Sequence, residues 1–155
     1  MQPVESNAAY HADLTHYGSS MLKVYRRSPR RFKAIYIEHT IEPEGPSPEM
    51  LLGSVTHLLV GGFPLESEFL VADGCKIRSG KLWDSYEVAA QARKIMPILP
   101  GQFELARAMA DAVLTDPIAG KFWKAEGPIE KSIRWKKNGI PLKCKPDKLV
   151  IDPEY

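Results

Sequence analysis

The chain has 155 residues with a formal net charge of +2, and 44% of them are hydrophobic, which is typical of one globular domain with a buried core. No apolar run approaches the length of a membrane span, and the first fourteen residues lack the apolar region of a secretory signal. The spacing of Cys75 and Cys144 indicates neither a disulfide framework nor a zinc knuckle. We expect one cytoplasmic, reduced domain over residues 1–155, with residues 1–17 loosely structured and no membrane partner.

The first predicted elements are helices. The sequence predicts a helix from Ser19 or Ser20 through Tyr36. We expect it to be interrupted near Ser28-Pro29, because proline has no backbone N–H to continue the hydrogen bonds of the helix. A linker over residues 42–48 follows. It ends in Ser47-Pro48-Glu49, a helix cap, first position and first-turn acid, and the helix that begins there reaches about Val60.

The middle of the chain predicts one short strand, EFLVA, and then three helices. The first of these covers Asp84 to about Ile95. The second is QFELARAMADAVL, whose apolar stripe indicates a buried face. The third opens at Asp116-Pro117 and runs through Trp123. From Ile129 onward the hydrophobic period changes to two, which predicts strands.

A basic stretch lies on the first helices, and the region from Lys131 to Lys148 is also basic. Such clusters can bind phosphates, but they can also form a solvated face on which the long side chains cover apolar surface. The sequence alone leaves both interpretations open. The candidate DNA-binding residues of the first stretch are Arg26, Arg27, Arg30, Arg31 and Lys33.

The most informative stretch is IEKSIRWKKNGIPLKCKPDKLV. Asn138-Gly139 favours a two-residue type I′ turn, because both residues tolerate positive φ. A turn at these two residues sets the register of the hairpin and places Glu130 directly opposite Asp147. Side chains opposed in this way have Cβ atoms about 5 Å apart.

The alternation of the hairpin sorts its side chains onto two faces. We expect Ile133, Trp135, Leu142 and Cys144 to pack on a core, with the polar residues, including Glu130 and Asp147, on the opposite face. Two opposed carboxylates repel unless a divalent metal, a proton or a lysine lies between them. Lys145 and Lys148 can serve as that lysine, so a metal site and a solvated polar face both remain open.

Gly53 and His57 are four residues apart and therefore share one face of the predicted helix. Glycine costs about 1 kcal/mol in a helix interior, which is tolerable if another backbone approaches there. A lone histidine on an apolar helix is usually a satisfied core residue. Together with two carboxylates, however, an imidazole makes a plausible site for a hard divalent ion.

These motifs, in this order, resemble the PD-(D/E)xK nucleases, and most closely the exodeoxyribonuclease VIII (RecE-type) group of phage and prophage exonucleases. The stretches that carry the resemblance cover nearly all of the chain: YGSSMLKVYRRSPRRFKA, GSVTHLLV, ILPGQFELARAMADAVL and the hairpin with KCKPDKLV. The resemblance implies an α/β fold, with a central mixed sheet flanked by helices and extra helices at the N-terminus.

By the same resemblance, the domain degrades linear double-stranded DNA from 5′ ends with Mg²⁺ or Mn²⁺. It leaves 3′ single strands for a RecT-type annealing partner, and members of the group form rings around the DNA. His57, Glu130 and Asp147 match the metal-site histidine and acids of the group. A metal held there polarises the scissile phosphate and lowers the pKa of the attacking water.

The pattern of the group continues with a third strand that bears D-x-K. After Asp147 this sequence offers only Asp152-Pro153-Glu154, which has no lysine and is typical of a turn. We therefore expect a core that is incomplete at the C-terminus and cleavage slower than that of the group, since losing one such electrostatic group costs about 10²–10³-fold in rate. Lys145, paired with Ser132 on the face of the acids, is the candidate stand-in.

Three functions follow from these observations. The first is a metal-dependent deoxyribonuclease of the exodeoxyribonuclease VIII type, with Glu130, Asp147 and Lys145 as catalytic residues. The second is an inactive, truncated relative that binds DNA or a recombination partner. The third is an α/β domain whose hairpin acids lie on the surface without a catalytic role.

Overall fold

The computed structural model describes residues 5, 7–43 and 45–150, and this part of the chain is mixed α/β, as the sequence predicts. The chain divides into two compact units, one of residues 1–45 with 126–155 and one of Pro46–Ala125, which we call the first and the second unit. The helices are α1 (Asn7–Ala12), α2 (Ser19–Arg27), α3 (Pro29–Tyr36), α4 (Pro48–Gly61), α5 (Lys81–Arg93), α6 (Pro100–Thr115) and α7 (Ala119–Lys124). The strands are β1 (Phe69–Val71), β2 (Met96–Ile98), β3 (Ile133–Lys137) and β4 (Ile140–Cys144).

Two helices of the first unit meet at the predicted break. Ser28 has an extended backbone with φ of −158°, and its hydroxyl accepts a hydrogen bond from the Arg31 N–H, which caps α3. Pro29 occupies the first position of α3, where the missing N–H costs nothing. Phe32 is buried beside the rings of Tyr17, Tyr25 and Tyr36, with centroids 5.2–6.1 Å away.

The segment before α2 is tied to the hairpin of β3 and β4. Tyr17 donates its N–H to the Pro141 carbonyl at 3.0 Å, and Lys143 donates its N–H to the Tyr17 carbonyl at 3.1 Å. The sequence predicted a loose stretch over residues 1–17. Within that stretch the structure describes helix α1 and these backbone bonds, while residues 1–4 and 6 lie outside the described residues.

The second unit has its own hydrophobic core. Ser47 caps α4 as predicted, by accepting a hydrogen bond from the Met50 N–H at 3.3 Å. The buried face of α4 packs against the two short strands and α6. The buried residues of this cluster are Leu51, Val55, Leu58, Phe69, Ile98 and Ala106.

Strand β2 was not predicted. It has only three residues, one of them Pro97, and it is a strand because it pairs in parallel with β1, with Phe69 opposite Met96. In the described residues the strands form two two-stranded sheets, β1–β2 and β3–β4, where the family resemblance implied one central mixed sheet. The described part of the chain contains no helix that is long and apolar enough to cross a membrane.

Three helix starts differ from the prediction, and one of them is that of α6, which begins at Pro100, before the expected Gln102. Helix α5 begins at Lys81, before the expected Asp84. Helix α7 begins at Ala119 because the Asp116 carboxylate accepts hydrogen bonds from the N–H groups of Ile118 and Ala119, at 2.9 and 2.7 Å. Asp116 therefore lies ahead of the helix instead of inside it.

Candidate active site

The hairpin has the register that the sequence predicts. Asn138 and Gly139 have φ of 51° and 79°, as a type I′ turn requires, and Arg134 pairs with Lys143. Pairing continues past the strands to a bridge between Ile129 and Lys148. The N–H of Glu130 donates to the Asp147 carbonyl at 3.1 Å, so the two acids lie directly opposite each other.

The two acids have different surroundings. Glu130 is buried and has a φ of 50°, a left-handed conformation. It lies between the bridge at Ile129 and the start of β3 at Ile133, outside the regular strand. Asp147 is exposed. The carboxylate of Glu130 forms an ion pair with Lys145, with 2.9 Å between Oε2 and Nζ, and both side chains are about nine-tenths buried. A metal, a proton or a lysine could each offset the charge of Glu130, and the structure shows a lysine in that position.

The ammonium of Lys145 has three acceptors. Besides Glu130, it donates to the side-chain oxygen of Asn7 at 2.7 Å and to the backbone carbonyl of Glu5 at 3.0 Å. A lysine ammonium has three donors, so each of them is used. The lysine on the acids' face is thus fixed by a segment that lies more than a hundred residues earlier in the sequence.

The same early segment covers more of the polar face of the hairpin. We call Glu5 and residues 7–17 the N-terminal segment. Arg134 pairs with Glu5 at 2.7 Å and with Asp13 at 3.0 Å. The ammonium of Lys143 donates to the carbonyls of Tyr10 and Asp13 and lies 4.5 Å from the centre of the Tyr10 ring.

These contacts shift the ionisation of the segment's acids. The hydrogen bond from Arg134 lowers the pKa of Glu5. The pKa of Asp13 is also lowered, first by the hydroxyl of Thr15 and further by Arg134. Both carboxyls therefore stay ionised beside the guanidinium.

The prediction of which hairpin face is buried was wrong. Trp135 is exposed, and Ile133, Leu142 and Cys144 are only partly buried. The buried residue of the two strands is Lys143, on the polar face. The period of two correctly predicted which side chains share a face. It could not predict that the N-terminal segment packs on the polar face, because no local pattern indicates that contact.

His57 lies on α4 in the second unit, whereas Glu130, Lys145 and Asp147 belong to the first unit. Its ring is partly buried and meets Trp123 edge-on, with 6.5 Å between the centroids. Gly53 is exposed, and no described atom lies within 4 Å of the Cβ that an alanine would add, so a close backbone approach does not explain this glycine.

The hairpin supplies two of the ligands that a divalent metal could bind. Carboxylate oxygens are the ligands that Mg²⁺ prefers, and proteins often bind Mg²⁺ through only one or two carboxylates plus water. Glu130 and Asp147 supply two such groups on opposed residues. Among the described residues, no group of three or more His, Cys, Asp or Glu is arranged to hold a metal ion. The triplet Asp152-Pro153-Glu154 lies outside those residues.

The basic cluster of the first unit is exposed on α2 and α3. Arg26 and Arg27 are the last residues of α2, while Arg30, Arg31 and Lys33 belong to α3. Arg26 and Arg30 therefore lie on two different helices and do not share one helix face. Lys33 pairs with Glu38 at 2.7 Å. An open cavity of about 650 Å³ is lined by Ser28, Arg30, Arg31, Lys33, Ala34, Glu38, Thr40 and Ile41.

No motif of the sequence indicates Asn7, Glu5 or Arg134 as site residues. Their role comes from contacts across more than a hundred residues, for which a single sequence gives no signal.

Comparison with known families gives one match. A family described as a PDDEXK-like domain of unknown function (DUF3799) matches residues 18–155, which include both hairpin acids, Lys145 and His57. The N-terminal segment lies entirely before the matched range. No curated protein and no solved structure matches the chain.

Proposed function

Because the chain belongs to the PDDEXK-like domain family DUF3799, a membership that suggests a nuclease-type function, we propose that it is a metal-dependent deoxyribonuclease. The proposed reaction resembles that of exodeoxyribonuclease VIII, the degradation of linear double-stranded DNA from its ends for phage or prophage recombination. The observation that carries the proposal is the hairpin register, which places Glu130 opposite Asp147.

The proposed roles follow from the surroundings of each side chain. Nucleases of this superfamily typically use divalent metals, and Mg²⁺ or Mn²⁺ bound here would polarise the scissile phosphate and acidify a water. Asp147 is exposed and can reach a bound substrate, while Glu130, paired with it across the hairpin, is buried. Lys145 places a positive charge next to Glu130.

Further parts of the proposal rest on the resemblance. They are a role for His57 as a third metal ligand, a RecT-type annealing protein as partner, assembly into a ring, and a location in the cytoplasm. DNA ends would be the substrate, bound by the exposed arginines of α2 and α3.

The test measures cleavage and metal binding on the same proteins. The parent, Asp147→Asn and the control Asp84→Asn, which alters an exposed acid of α5, are incubated with end-labelled linear duplex DNA and Mn²⁺. We expect Mn²⁺-dependent release of nucleotides by the parent and the control. In Asp147→Asn we expect a loss of at least about 10²-fold, the usual cost of one group that stabilises the transition state.

Calorimetric titration with Mn²⁺ provides the second measurement. We expect one weak site in the parent and the control, and no measurable binding in Asp147→Asn. Equal binding by all three proteins would contradict the assignment of Asp147 to a metal.

The second candidate is a DNA-binding protein that does not cleave, and the exposed basic cluster on α2 and α3 favours it. Arginines bind phosphates without regard to sequence, and such binding weakens as salt rises. We expect the double reversal Arg26→Glu and Arg30→Glu to abolish binding to duplex DNA. The matched control reverses Arg93 and Arg107, two exposed arginines of the second unit.

Fluorescence anisotropy at several salt concentrations measures both variants. Binding that survives in the first double variant would mean that the cluster is only a solvated face. Salt-dependent binding that depends on Arg26 and Arg30, without cleavage under any metal condition, would favour the second candidate over the nuclease.

A further inference from the structure

Lys145 and Glu130 form an enclosed ion pair of the hairpin. Their side chains are 7% and 11% exposed, whereas the Arg134 pairs at the same face are more open. Removing two charges from water is costly unless their remaining hydrogen-bonding groups are satisfied. The acceptors that satisfy the ammonium come from the N-terminal segment.

Asn7 supplies the only side-chain acceptor that Lys145 has outside the hairpin among the described residues, at 2.7 Å. The other acceptor is the backbone carbonyl of Glu5, which no substitution removes. Asn7 is also the first residue of α1, and Lys143 binds carbonyls near the other end of that helix. Helix α1 is therefore anchored at one end to β4, through Lys143, and at the other to Lys145, which follows β4.

The position of Lys145 matters for any cation that approaches Glu130. An ammonium 2.9 Å from the carboxylate offsets the negative charge of that group. A divalent cation bound to the same carboxylate is repelled by the positive charge of the lysine. The more firmly Lys145 is held, the weaker the cation binding must be.

We propose that Asn7 is a positioning residue, which holds the Lys145 ammonium on Glu130 and thereby lowers the affinity of that carboxylate for a divalent cation. The inference rests on the proposed metal site and deepens it. The N-terminal segment thus weakens cation binding at the site. Asn7 lies before residues 18–155, the range that matches the family.

The experiment is a double-mutant cycle on the full chain, with Mn²⁺ alone as the probe and calorimetry as the measurement. The variants are Asn7→Ala, Lys145→Met and the two combined. We expect Lys145→Met to tighten Mn²⁺ binding about tenfold and Asn7→Ala about threefold, which correspond to the loss of one charged and one weaker hydrogen bond. In the Lys145→Met background, Asn7→Ala should have no further effect.

The control is Ala12→Gly, which lowers the helix propensity at the exposed last position of α1 without removing an acceptor of Lys145. An unchanged affinity in Asn7→Ala would overturn the inference. So would an equal change in Ala12→Gly, or a further change when Asn7→Ala is added to Lys145→Met.

Glu130→Gln separates this inference from the proposed function. Mn²⁺ binding that is unaffected by Glu130→Gln would refute the metal site itself, and the inference with it. Binding that depends on Glu130 but ignores Asn7 would refute the inference alone.

Discussion

Lys143 shows how a charged residue can occupy a buried position. The last carbonyls of a helix lack partners within the helix, and the Lys143 ammonium donates to two such groups at the C-terminal end of α1, those of Tyr10 and Asp13. The ring of Tyr10 gives the charge a further favourable contact. The residue thus joins β4 to a helix that is too short to be stable by itself.

We expect Lys143→Met to destabilise the protein, because two carbonyls lose their donor while the apolar stem is largely preserved. Leaving buried acceptors without a donor costs about 1–3 kcal/mol. Urea unfolding measures the loss. Lys137→Met, on an exposed residue of β3, is the matched control, and an equal loss in both variants would contradict the role of Lys143.

Asp13 and Glu5 make the attachment of the N-terminal segment sensitive to acid. Both have a lower pKa in the folded protein than their ordinary values of 3.8 and 4.5, so their ionised forms stabilise the fold above those values. This contribution is lost as the pH falls through the lowered folded pKa values. Arg134, Ser132 and Lys145 lower the pKa of Glu5, and Thr15, Arg134 and His16 lower the pKa of Asp13.

We therefore expect the NMR chemical shifts of α1 to change from helical to unfolded values as the pH falls below about 4, the ordinary range of carboxyl pKa values. Arg134→Met should shift α1 toward the unfolded values already at pH 7 and weaken the acid transition. Arg107→Met, which removes an exposed pair with Glu104, should change neither. An acid transition of the same size in Arg134→Met would contradict the explanation.

At the scale of the element, two glycines have opposite roles. Gly139 has a φ of 79° in the turn between β3 and β4, a conformation that costs other residues about 1–2 kcal/mol. Gly53 lies in the interior of α4 with open space around its missing Cβ. The first is required by the turn, and the second costs helix stability.

We expect Gly139→Ala to lower the melting temperature and Gly53→Ala to raise it, each by the equivalent of about 1 kcal/mol. Thermal unfolding followed by circular dichroism measures both. A lower melting temperature in Gly53→Ala would show that another group approaches α4 at that point.

At the scale of the whole molecule, the second unit is one continuous stretch, Pro46–Ala125. Its two buried clusters, as far as the described residues form them, draw all their members from within that stretch. The first unit, in contrast, joins the two ends of the sequence.

We therefore expect Pro46–Ala125, expressed alone, to fold and to unfold cooperatively in urea. A domain with its own core is in principle able to fold alone. Tryptophan fluorescence is a suitable probe, because Trp83 is buried in this unit. A gradual change without a transition would mean that the unit needs the first one.

The sequence by itself determined the features that depend on neighbouring residues. The break at Ser28-Pro29, the cap at Ser47 and the turn at Asn138-Gly139 follow from local backbone chemistry, and the structure confirms all three. The register of the hairpin then follows from the turn by counting, so the opposition of Glu130 and Asp147 was predictable from the sequence alone.

The tertiary structure decided what lies against those residues. Strand β2 exists through pairing with β1, and Lys145 binds Glu130 while Asn7 and Glu5 hold it from far away in the sequence. The reason is physical: alternation along a strand tells which side chains share a face, but burial of a face depends on which distant segment packs on it. Here that segment brings its own carbonyls and a side-chain amide, and this is why Lys143 and Lys145, instead of the apolar residues, have the most buried side chains of the hairpin.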